Sequence, residues 1–129
     1  MGNPAPGVNK MEDEMSWWVS LEKNGKPVTV QRHEDGGTYV LGGTTEADLS
    51  ITYNYSPHYY EQLDPEMGIR FLHEKQAKDV IERLEEAVSK LGTERAKDYW
   101  KATSGNAGYA LFVLLIWAFD NPTAIFRVC

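Results

Sequence analysis

The sequence has almost no cysteine: among 129 residues there is one, Cys129, and it is the last. No intrachain disulfide can form, so the fold must hold without oxidation and a cytoplasmic setting is expected. The N-terminus lacks a basic region followed by an apolar one, so no secretory signal is expected. Pro6 stands where a myristoylation motif starting at Met1-Gly2 would need Ser or Thr. The apolar run Ala107 to Phe119 covers about 13 residues, short of the ~20 that span a bilayer, so a soluble protein with no membrane partner is expected. Basic residues are also in deficit, 13 against 19 acidic, and the net charge of −6 repels a phosphate backbone and disfavours duplex nucleic acid.

Catalytic signatures are missing too. None of His33, His58 and His73 stands at a metal-binding spacing, no serine lies in G-x-S-x-G, and no G-K-[ST] follows the glycine pairs. The sequence therefore indicates no metal, no cofactor and no catalytic residue. His58, beside Tyr59 and Tyr60, is the one residue that a hydrolase reading could use, given a carboxylate partner.

What is present is a globular composition rich in aromatics, of a length that suits one domain with a real core. Residues 1–14 combine Pro, Gly, Asn and acidic residues without periodicity and read as a flexible tail, leaving 15–129 as a single α+β domain. Ser16–Glu22 and Val28–Gln31 read as strands joined through Asn24-Gly25, the residue pair that a type I′ hairpin turn demands. Thr38–Leu41, between two glycine pairs, reads as a third strand. Leu49, Ile51, Tyr53 and Tyr55 alternate with polar residues, which predicts a fourth strand with one buried face, ending at Ser56-Pro57. Ser56 before Pro57, and Asp64 before Pro65, have the grammar of capped helix starts.

From Glu74 to Leu91 apolar residues recur at three and four, which predicts an amphipathic helix closed by Gly92. A second helix is predicted from about Thr103–Asn106 to Asp120. It is apolar on every side, so it must be surrounded by its own sheet and helix or by a neighbouring subunit. Ala124–Val128 adds a final edge strand. The expected architecture is a small antiparallel sheet of about five strands against one amphipathic and one buried helix.

The densest chemistry lies at 48–60, D-L-S-I-T-Y-N-Y-S-P-H-Y-Y. Tyrosine is costly to bury unless its hydroxyl finds a partner, so this cluster is either an aromatic binding wall or a polar-tipped core. If it is a wall, Tyr53, Asn54, Tyr55, His58 and Tyr59 join Tyr99, Trp100 and the helix start at Ser104 and Asn106 in a flat-sided site. Such a site suits a planar or phosphorylated ligand of the nucleotide kind. Gly105 and Gly108 either expose amides to an anion or simply let the helix approach a neighbour closely.

The combination Y-N-Y-S at 53–56, G-I-R-F-L at 68–72, K-L-G-T at 90–93, D-Y-W at 98–100 and G-N-A-G-Y-A-L at 105–111 resembles a family of short, uncharacterised bacterial and phage-borne proteins over residues 48 to 128. That resemblance carries no activity and implies only a small accessory protein. Two main readings remain open. One is a non-enzymatic binder that sequesters a nucleotide-like signal. The other is an interaction or homo-oligomerisation module built on Trp17, Trp18 and the apolar helix.

Overall fold

The computed structural model describes residues 16–33 and 43–129; the expected tail over 1–14 and the expected strand Thr38–Leu41 lie outside the described residues. The elements are β1 (Ser16–Lys23), β2 (Lys26–Pro27), β3 (Thr29–His33), β4 (Thr44–Glu46), β5 (Asp48–Thr52), α1 (Ser56–Gln62), α2 (Ala77–Leu91), α3 (Ser104–Asp120) and β6 (Ile125–Val128). Single turns of 3-10 helix occupy Tyr53–Tyr55 and Gly68–Leu72. The fold is α+β, with the strands in two antiparallel sheets instead of one.

β1 is the spine of the larger sheet. It pairs with β5 through Ser16↔Thr52 to Ser20↔Asp48, and with β6 through Val19↔Val128 to Glu22↔Ile125. The hairpin to β2 forms as the sequence requires, with Asn24 and Gly25 at φ 56° and 78°. The second strand then leaves β1. Val28 still donates to the Leu21 carbonyl, but Ala47 receives the Leu21 amide and donates to Val28, so the chain entering β5 takes over the edge. β3 is left to pair with β4 in a sheet of two.

Alternation along β1 sends Val19 and Leu21 to the same face as Leu49, Ile51, Phe126 and Val128, all buried. α2 and α3 complete this core with Val80, Leu84, Leu111 and Leu114, each fully buried side chain contributing about 1.5 to 3 kcal/mol. The apolar stripe of α2 is the one its periodicity predicts, and Gly92 closes it at φ 79°.

Three local expectations are corrected. β5 stops at Thr52, because the Thr52 hydroxyl accepts from the Asn54 amide and turns the chain into a 3-10 turn, so Tyr53 and Tyr55 do not share a strand face. Ser50 and Thr52 are buried as well, so β5 is covered on both sides. Ser56 does not cap α1: the helix begins at Ser56 itself, and its hydroxyl donates to the Tyr53 carbonyl. Asp64 Oδ1 accepts from the amides of Glu66 and Met67, but it caps a turn and not a helix: the 3-10 segment begins only at Gly68, after Met67, with no side-chain cap.

Candidate functional site

The aromatic and polar residues of the 48–60 segment converge on the connector 92–103 between α2 and α3. Asn54 donates from Nδ2 to the Trp100 carbonyl at 2.9 Å, and the Tyr55 hydroxyl donates to the Tyr99 carbonyl. His58 Nε2 lies 2.9 Å from the Ala102 carbonyl, a main-chain partner where the hydrolase reading needs a carboxylate. The Tyr59 hydroxyl reaches past the connector to the Ala107 carbonyl in α3, at 3.0 Å.

From the other side, Asn106 holds the same connector. It is buried in the first turn of α3, where the Thr103 hydroxyl accepts from its amide. Its Oδ1 accepts from the Ala96 amide at 2.8 Å, and its Nδ2 faces the carbonyls of Asp98 (3.0 Å), Lys101 (2.9 Å) and Tyr99 (3.4 Å). A primary amide is the side chain that can do this, having two donor hydrogens and an acceptor at one tip. The connector thus acquires through side chains the backbone partners that a helix or strand would have given it.

Tyr99 returns the support. Its hydroxyl donates to the Ser50 carbonyl at 2.9 Å and accepts from the Thr52 amide at 3.3 Å, so one phenol bridges two groups on the edge of β5 that β1 does not pair. An unpaired strand edge is a template for unwanted pairing, and Tyr99 closes this one. The β6 edge is closed by main chain at Phe126, where Glu74 donates to its carbonyl and its amide donates to Lys75, and by a side chain at Val128, whose amide donates to His73 Nδ1.

Tyr55 and Tyr59 are fully buried, their rings 6.3 Å apart and nearly perpendicular, with Tyr99 packed 5.6 Å from Tyr55. Burial, then the neighbouring Tyr99, pushes the Tyr55 phenol well above its ordinary value, and burial does the same to Tyr59. Tyr55, Tyr59 and Asn106 are buried with their polar tips hydrogen-bonded, the arrangement of a polar-tipped core. Tyr53, Asn54, Trp100 and Ser104 are exposed, and Tyr53 stands edge-on to Trp17 at 4.8 Å. The two glycines of α3 prove to be packing residues: a Cβ at Gly105 would lie 1.9 Å from the Glu94 carbonyl oxygen, and one at Gly108 1.8 Å from that of Gly92.

The all-round apolar helix α3, which the sequence assigned to its own sheet and helix or to a neighbouring subunit, keeps an open outer face. Phe112, Ile116 and Phe119 are 37%, 43% and 54% exposed, with Tyr109 and Val113 half-buried beside them. No charged residue occurs in α3 before Asp120. α2 supplies an internal contrast, since its outward positions are Lys78, Asp79, Glu82, Glu85, Glu86 and Lys90. The signal was already in the sequence as a helix with no polar side.

Among the described residues no group of His, Cys, Asp and Glu side chains is placed to hold a metal ion, and no helix is long and apolar enough to cross a membrane. The Asp48 carboxyl is held above its ordinary value, by burial and then by the nearby Glu46 and Glu22. No protein-family model, curated protein or solved structure matches the chain.

Proposed function

We propose that this protein is a non-enzymatic interaction module whose contact face is the outer stripe of α3. The observation that supports this is the contrast between its two long helices: α2 turns charge to solvent, whereas α3 turns Phe112, Ile116 and Phe119 outward. Leaving large apolar side chains in water forfeits the stabilisation that covering them would give. The hydrogen-bonding groups of the aromatic cluster, by contrast, already serve the connector.

The reading is tested by placing a benzophenone amino acid at Phe119 and irradiating cells that express the protein. A covalent adduct that is lost when Ile116 is replaced by glutamate supports it; the absence of any adduct contradicts it.

A second reading, a planar or phosphorylated ligand seated on Tyr53 and Trp100, is supported by the exposure of those two rings. Binding must raise stability by mass action, so a panel of mono- and cyclic nucleotides should shift the melting temperature. A flat response across the panel removes it.

A further inference from the structure

We infer that the occupant of the α3 stripe is a second copy of this chain, packed antiparallel about a two-fold axis beside Ile116; the inference rests on the reading of α3 as a contact face. The order of the side chains carries it. Phe112 precedes Ile116 by four residues and Phe119 follows it by three, offsets of about 6 and 4.5 Å along a helix. A two-fold axis at Ile116 therefore brings Phe112 of each copy onto Phe119 of the other, with Ile116 against Ile116. A twofold contact needs this kind of self-complementarity, in which residue i meets j and j meets i.

The charges at the two ends of the stripe agree. Arg95 lies over the Tyr109 ring, 4.6 Å from its centroid, at the N-terminal end, and Asp120 follows Phe119 at the C-terminal end. Antiparallel packing directs each Asp120 toward the Arg95 end of the other copy. Parallel packing would set Asp120 against Asp120. The net charge of −6 opposes association of like chains, but ~0.15 M salt screens it within about 8 Å.

The available area sets the strength. Aromatic side chains bury ~150 to 250 Å² each, so exposures of 37%, 43% and 54% leave roughly 250 Å² of apolar side chain per copy on these three residues. A standard interface uses about 800 Å² per partner, so the dimer is weak and concentration-dependent.

Sedimentation equilibrium over roughly 10 μM to 1 mM should show the native chain passing from monomer toward dimer. Ile116→Glu, at an exposed position, should stay monomeric with unchanged circular dichroism, and its Tm should equal that of the native chain at concentrations where the native chain is monomeric. Asp120→Arg and Arg95→Glu should each weaken self-association at least several-fold, because each sets like charges together twice. Mixing the two variants should restore a dimer, because every end contact is then between opposite charges. Mixing restores opposite charges in either orientation, but carrying Asp120→Arg and Arg95→Glu on one chain restores them only in the antiparallel one, so a double variant that fails to dimerise would overturn that arrangement. A native chain that remains monomeric throughout overturns the second copy as occupant. If the benzophenone at Phe119 still gives an adduct in cells, to a partner of another mass, the contact face stands and only its occupant changes; with no adduct, both fall.

Discussion

Replacing Asn106 by alanine should cost the fold more than any other polar truncation at the junction of β5, α1 and α3. The amide makes three well-formed contacts to the connector, to Ala96, Asp98 and Lys101 at 2.8 to 3.0 Å, and a long one to Tyr99. At about 1 kcal/mol net for each good bond, with the side chain buried, the loss is about 3 kcal/mol. For a chain of this length that lowers Tm by roughly 10 °C. Urea unfolding followed by tryptophan fluorescence measures it, with Trp100 reporting from inside the connector. Asn106→Asp separates this network from a simple helix effect. A carboxylate in the first turn of α3 should help the helix dipole, yet here it would face three carbonyl oxygens, so the variant should be at least as unstable as alanine. A loss below about 0.5 kcal/mol for alanine, or an aspartate variant as stable as the native chain, would refute the reasoning.

Gly108→Ala should destabilise by about 2 kcal/mol or more, because the new methyl meets the Gly92 carbonyl and the Leu91 side chain and the chain must shift; chemical denaturation gives the value. Tyr59→Phe removes a single buried bond to a carbonyl that keeps its helical partner, so about 1 kcal/mol should be lost in the same assay. Asp48→Asn should stabilise at neutral pH. The folded state holds the Asp48 proton more tightly than the unfolded state, so native stability falls as pH rises above 3.8 and through the raised folded value. The variant's advantage should therefore be present at about pH 7 and absent below 3.8, and an equal offset at both pH values would contradict the assignment.

The parts of the fold legible in the sequence are those that local chemistry decides. Asn24-Gly25 specifies its turn wherever it occurs, and the three-and-four spacing from Ala77 to Leu91, ended by Gly92, admits one buried face. β5 was harder to read because the alternation through Tyr53 and Tyr55 is genuine, but the Thr52 and Ser56 hydroxyls draw the backbone into a turn. The split into two sheets depends on Ala47 displacing β3 from β1, a competition between segments that no single window contains. At the cluster, composition picked out residues that the fold does bring together and could not say which way they point. Tyr55 and Tyr59 find their partners 44 and 48 residues away, and Asn106 finds its own 5 to 10 residues back on an irregular connector, so only the assembled fold tells core from wall. The outward face of α3 was legible as an absence of charge, whereas its three exposed residues required the packing against α2 to be known.

Spectrophotometric titration of the seven tyrosines in the native protein tests the central claim most directly, that the junction is interior scaffold and not an open aromatic pocket. Two phenols, Tyr55 and Tyr59, should resist ionisation well past the ordinary tyrosine range and titrate only when the fold gives way, with Tyr59→Phe reducing the resistant set by one. All seven ionising together near 10, with the protein still folded, would contradict it.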